Sequence, residues 1–249
     1  PLNMSKLRRL RGIAPRREVV SLYRDGVKST PQDIPAVLAK SNQALATLNK
    51  YRTRLDELSS RLTRSEFSGS VVLYDALAVL QRSELVSRMA TEVERYVIEL
   101  GTEGRLIEMQ LEETMVGVAS ERLALMRDYA VEDTEENIQF MLEELAGLPH
   151  QDVLDFGRLA ELLGYDRKVN TLDLVTEPRG YRLLGVVPRL PRLVIQKIVH
   201  EFGSLDSALA ATDEELASVD GVGPSRAKEI REGVRRLQES VMADRFLNT

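Results

Sequence analysis

Cysteine and tryptophan are both missing from this 249-residue chain, histidine occurs only twice, and aromatic residues make up 5%. Without cysteine there is neither a disulfide framework nor a thiolate metal site. The two histidines, His150 and His200, lie far apart in sequence and read as ordinary surface or core residues, so no metal ligand set is assigned. No apolar run is long enough to cross a bilayer, and no secretory pattern opens the chain, so the expected compartment is the cytoplasm. With few aromatics, the 43% hydrophobic content must build its core from Leu, Val and Ala, which suits packed helices. A net charge of −5 argues against a protein that coats DNA, so any contact with DNA must be local. Charge is segregated along the chain. Val131 to Gly147 carries six acidic residues and no basic one, whereas from Pro178 onward 11 Lys/Arg face 10 Asp/Glu.

The most informative stretch runs from Thr212 to Leu237. Thr212 followed by Glu215 is a capping box that opens a short helix with Leu216, Ala217 and Val219 on its apolar side. Gly221 and Gly223, one residue apart, permit backbone angles that side chains forbid, and Pro224 suits the first turn of the helix that follows. Ala227, Ile230 and Val234 give that helix a single buried face. Free N–H groups at such a helix start, with no Cβ in the way, suit a phosphate oxygen. The candidate contacts are Gly221, Val222 and Gly223 through the backbone, with Ser225, Arg226 and Lys228 as side-chain donors. The run Asp-Gly-Val-Gly-Pro-Ser-Arg-Ala resembles the helix-hairpin-helix motif of proteins that bind DNA without reading its sequence.

A second copy lies 32 residues upstream, where Val187, Leu190, Ile195 and Ile198 match Val219, Val222, Ala227 and Ile230. This copy is degenerate. Arg189 and Pro191 replace the two glycines, and Pro191 removes an N–H donor, so a weaker grip on phosphate is expected. Arg189, Leu190 and Arg192 are its candidate contacts, and Lys197 adds charge. Two hairpins related by a pseudo-twofold would touch both strands across one groove, favouring backbone shape over base sequence.

Upstream, Val19 to Tyr23 alternates like a strand, and the Arg24-Asp25-Gly26 turn leads to a possible return strand; no other strand is expected. Gln32 to Thr63 is expected as one long helix, its stripe of Leu45, Leu48, Tyr51, Leu55, Leu58 and Leu62 fitting either self-association or packing within the chain. From Ser70 to Leu163 the pattern is a helical bundle. It comprises one kinked helix or two to Leu100, then Arg105 to Met126 with Leu106, Met109, Leu111, Met115 and Leu123 as core. A turn at Arg127-Asp128-Tyr129 follows, then a Thr134-capped helix to Leu145 and a short helix from Gln151 to Leu163. Leu172 to Gly180 reads as a linker. The expected fold is therefore mainly α. Residues 1–31 would be a basic arm and remnant β-hairpin, 32–171 a spine helix with a helical bundle, and 172–249 a tandem helix-hairpin-helix domain.

Three stretches, SNQALATLNKYRTRLDEL (41–58), YVIELGTEGRLIEMQLEE (96–113) and RGYRLLGVVPRLP with the hairpin pair behind it (179–237), together resemble the bacterial DNA integrity scanning proteins, a family of diadenylate cyclases. The resemblance implies an N-terminal cyclase domain joined by a helical spine to a DNA-binding hairpin domain. It also implies an octamer of two head-to-head tetramers near the nucleoid, using ATP and a divalent metal (Mg or Mn) to make cyclic di-AMP and two diphosphates. Branched DNA, such as a Holliday junction, would suppress that reaction. The family's Asp-Gly-Ala and Arg-His-Arg motifs are absent here, and Asp25-Gly26-Val27 is only superficially like the first. Val19 to Tyr23 resembles the last part of the cyclase sheet. No catalytic residue and no cofactor is therefore assigned, and the chain by itself is expected to be inactive. The expected partners are DNA, probed without sequence preference, and other copies of the chain, with no membrane. The competing expectation is an interaction scaffold in which hairpins and leucine stripe serve protein contacts.

Overall fold

The computed structural model describes residues 23–24, 27–28, 34–167 and 170–247, and these are mainly α-helical. Twelve helices are described: α1 (Ile34–Phe67), α2 (Leu73–Leu100), α3 (Arg105–Met115), α4 (Val118–Tyr129), α5 (Glu135–Gly147), α6 (His150–Val153), α7 (Phe156–Leu162), α8 (Tyr181–Val186), α9 (Arg192–Phe202), α10 (Leu205–Ala210), α11 (Asp213–Ser218) and α12 (Gly223–Leu247). Two small antiparallel ladders join them. Strand β1 (Tyr23–Arg24) pairs with β2 (Val27–Lys28), and β3 (Val71–Val72) pairs with β4 (Val175–Thr176). Val19 to Leu22, part of the expected strand, lies outside the described residues.

The chain divides into two compact units, and the division falls inside the two long helices. The first contains the residues up to Thr53 together with Leu85–Val116. Within it Leu45 and Leu48 are buried, Arg52 donates to the carbonyls of Thr114 and Val116 at 3.3 and 3.0 Å, and the Thr114 hydroxyl donates to Asn49 Oδ1 at 3.0 Å. Helix α3 corrects the expected core. Leu111 is buried, but Leu106 is 67% and Met109 58% exposed, and Met115 is half-buried. Gly117 also splits the expected helix, because its φ of 81° is a left-handed turn between α3 and α4.

The second unit contains Arg54–Glu84 and everything from Gly117 on. Leu55 and Leu62 of the stripe are buried in it, with Leu58 half-buried. Every residue of the stripe is thus at least half covered within one chain, which accounts for the spacing without a second copy. Helix α5 is capped as expected, the Thr134 hydroxyl accepting the Asn137 N–H at 3.2 Å. Arg127-Asp128-Tyr129, expected as a turn, instead forms the buried last turn of α4. The segment 172–180, expected as a linker, supplies β4 to the second ladder, and Leu73 extends that ladder by donating to the Leu174 carbonyl at 2.8 Å. Arg179 then donates to the carbonyls of Arg127, Asp128 and Val131 at 2.9, 3.0 and 3.2 Å, closing the end of α4.

A buried charge cluster explains why these segments are not loose. Asp128 accepts the N–H groups of Gly180, Tyr181 and Arg182 at 2.7, 2.7 and 2.9 Å, and so caps α8 from another helix. The Arg182 guanidinium donates to Glu66 at 2.6 Å, to Ser59 at 2.9 Å and to Glu121 at 3.3 Å, while the Tyr129 hydroxyl donates to Glu66 at 2.7 Å. Buried charges survive in a protein only when paired in this way. Burial works against the charge on Arg182, but the Glu66 and Glu121 carboxylates outweigh it and hold the guanidinium more firmly protonated than usual. Burial, reinforced by the Glu66 carboxylate, pushes Asp128 up to about 7 against the pull of its amide and arginine partners.

Candidate nucleic-acid interface

Helices α8 to α12 share a core of Leu184, Val194, Ile195, Ile198, Val199, Leu216, Val219, Val222, Ala227 and Ile230. The sequence repeat is visible in the backbone. Leu184, Val187 and Leu190 donate to the carbonyls of Gly180, Leu184 and Val187, and 32 residues later Leu216, Val219 and Val222 donate to those of Thr212, Leu216 and Val219. Each turn then takes a left-handed residue at the same place, Arg189 with φ 61° and Gly221 with φ 85°. Arg189 is the one non-glycine residue with positive φ among those described, a costly conformation for a side chain. The repeat holds it there.

In the second turn the capping box is formed in full. Thr212 Oγ1 accepts the Glu215 N–H at 3.2 Å, and Glu215 accepts the Thr212 N–H at 2.7 Å. Donation from the Thr212 N–H and hydroxyl to the Glu215 carboxylate, at 2.7 and 3.0 Å, holds that carboxyl below the usual carboxylate range. The turn itself is at the surface. Gly221 is exposed and Gly223, with φ 59°, is partly so; a Cβ on Gly223 would meet nothing within 4 Å. Gly221 precedes α12 and Gly223 opens it, so neither N–H has an acceptor within the helix. The Val222 N–H differs, because it is already bonded to the Val219 carbonyl at 3.0 Å and its side chain sits in the core. Of the three backbone candidates, two amides are therefore available and the middle one fastens the turn.

The side-chain candidates also separate. Ser225 and Lys228 are exposed. Arg226 is half-buried and folds back to donate to the Gly221 carbonyl, bracing the turn. In the first copy Arg189 and Arg192 are exposed, whereas the Leu190 N–H closes its turn on Val187 at 3.4 Å. Lys197 is paired with Asp220 of the second turn, and this ion pair holds the Asp220 carboxyl below its ordinary range. Its charge therefore links the two hairpins. His150 and His200 are exposed, and among the described residues no group of His, Cys, Asp and Glu is arranged to hold a metal. No described helix is long and apolar enough to cross a membrane.

The sequence reading missed the residues that position the first hairpin: Asp128, Arg182, Arg179 and Glu66. One signal was available. Glu66 falls four residues after Leu62, on the line of the leucine stripe, and Arg182 interrupts an otherwise apolar run at Tyr181–Val187.

The family profile described as the DisA bacterial checkpoint controller linker region matches residues 32–172. Similar relatives include the DNA integrity scanning proteins DisA of Streptomyces avermitilis, 44% identical over 92% of this chain and 62% of the relative, and of Frankia alni, 43% identical over 92% and 64%. That of Carboxydothermus hydrogenoformans is 42% identical over 91% and 64%. This chain thus spans somewhat under two thirds of the length of these relatives.

Proposed function

This chain belongs to the DisA family of bacterial checkpoint controllers, and from that premise we propose that it binds DNA without reading base sequence, with a preference for branched forms, as the sensing part of a DNA-scanning diadenylate cyclase. The observation that carries this reading is the exposed, left-handed Gly221 turn at the head of the 25-residue helix α12, with Lys228 on the helix behind it. The N–H groups of Gly221 and Gly223 would bind one phosphate, and Ser225 and Lys228 its neighbours. Arg226 and Val222 hold the turn in shape. Arg189 and Arg192 add a second, weaker cationic contact across the groove.

The reading extends to the whole protein only as a proposal. Joining two ATP into cyclic di-AMP needs an ATP and metal site that the residues present do not fit, since the Asp-Gly-Ala and Arg-His-Arg motifs are absent from the 249 residues. Incubated with ATP and Mg²⁺, this chain is expected to give no product. An octameric assembly, a nucleoid location and suppression by junction DNA belong to the same proposal.

Fluorescence anisotropy on linear duplex and four-way junction DNA tests the central reading. Affinity should fall steeply with salt, because released counterions drive phosphate contacts. Gly221→Val with Gly223→Val should weaken binding to both DNAs about tenfold or more, by blocking the approach and straining two left-handed positions. Undiminished binding by that double variant would exonerate the turn.

A further inference from the structure

The two turns share a backbone and differ in what they present to solvent. Thirty-two residues apart, Val186 stands where the second copy has Ser218, and Leu193 where it has Ser225. Both apolar side chains are outside the core, Val186 59% and Leu193 71% exposed. They lie on the two arms of the turn, Val186 closing α8 and Leu193 in the first turn of α9. Pro188 and Pro191 between them are exposed as well. Core packing does not account for this surface, because Leu184, Val187, Val194 and Ile195 already fill the inward positions of the same segment.

The charges beside it are also distinctive. Arg226, Lys197 and Arg231 are engaged with Gly221, Asp220 and Asp213, and Arg235 and Arg236 with Glu232. Arg189 and Arg192 have no ion-pair or hydrogen-bond partner among the described residues, and both are exposed. An apolar surface flanked by two free guanidiniums matches a ligand that is anionic along its backbone and apolar on flat faces. Intact duplex offers the charge and hides the faces in its stack, whereas an unpaired nucleotide offers both.

We propose that the first turn receives an unpaired base at a DNA branch point. Val186 and Leu193 contact the ring, Arg189 and Arg192 lie over the adjoining sugar-phosphate, and the second turn holds the neighbouring duplex. This assignment rests on the DNA-binding reading above and gives that site a substrate class, branched DNA with unstacked nucleotides. The two copies then differ in role: one grips backbone, the other detects loss of stacking.

Val186→Ser with Leu193→Ser installs the second copy's residues at exposed positions in the full chain. The probes are a linear duplex and a forked duplex carrying 2-aminopurine at the fork, whose fluorescence reports stacking. The unaltered chain should bind the fork more tightly and change the 2-aminopurine signal. The double variant should lose about tenfold in affinity for the fork, in the range that base contacts contribute, together with the signal change, while its duplex affinity and melting temperature stay the same. An unaltered affinity for the fork, or an equal loss on both DNAs, overturns the proposal. If the unaltered chain binds both DNAs alike without a 2-aminopurine change, this assignment fails and the phosphate-binding reading stands. If it binds neither, both fail, and a protein partner for the exposed turn becomes the better reading.

Discussion

The two hairpins begin at equivalent residues, Gly180 and Thr212, yet they are held in opposite ways. The second is self-sufficient, since Thr212 and Glu215 cap α11 from within its own first turn. The first has a glycine at the same place with φ 116°, and its cap comes from Asp128, 52 residues away, while Arg182 in its first turn is bound to Glu66, 116 residues away. A local cap leaves a hairpin free to face a ligand. A distant one ties the hairpin to the helices that carry it. The first copy is therefore the anchor of the pair and the second, capped within itself, its free face.

The most damaging way to break the contrast is to remove the anchor. Arg182→Met leaves the Glu66 carboxylate buried and uncompensated, and should cost about 3–5 kcal/mol in urea unfolding. Glu66→Leu added to it should recover much of that loss, because an apolar pair needs no desolvated charge. Exchanging the caps comes next. Asp128→Ala strands three buried or half-buried amides and should cost about 3 kcal/mol, whereas Thr212→Ala removes one exposed cap and should cost about 1 kcal/mol. Equal losses would erase the distinction between anchor and free face.

A pH series sharpens it further. Asp128 rises from an ordinary 3.8 to about 7 on folding, so between those values the folded chain holds a proton that the unfolded chain has released. Stability should therefore decline as pH rises across that window, and Asp128→Asn should flatten the decline in thermal melts. A stability that instead climbs from pH 4 to 7 at this group would mean that its amide and arginine partners outweigh burial. The smallest effect belongs to the free face. Lys228→Gln should leave stability unchanged and reduce the salt slope of DNA binding by about one phosphate contact.

Some of this was plain in the linear order of residues. The capping box, the two glycines and the repeat at 32 residues are local rules, decided by neighbours a few positions apart, and the structure obeys them. Leu45, Leu48, Leu55 and Leu62 were legible as a buried stripe for the same reason. Other readings failed because their outcome depends on distant partners. Arg127-Asp128-Tyr129 is polar enough to suggest a turn, but Tyr129 meets Glu66 and Asp128 meets α8, so the helix continues through them. Leu106 and Met109 fit a core pattern on α3, yet among the described residues of their unit nothing covers them.

Most of the helices, the Thr134 and Thr212 caps, the pair of turns and the glycines that open one of them were legible from the sequence, since each follows from backbone sterics and contacts within a few residues; the split at Gly117 and the cap of α8 were not. Tertiary structure decided which polar groups are buried, which cations remain free and which turn amides are available. Those outcomes depend on which neighbour takes a group away from water: Val222 and Arg226 are bonded within their own turn, to Val219 and Gly221, whereas Lys197 is paired with Asp220, 23 residues away, and each of the three looked like a contact for phosphate.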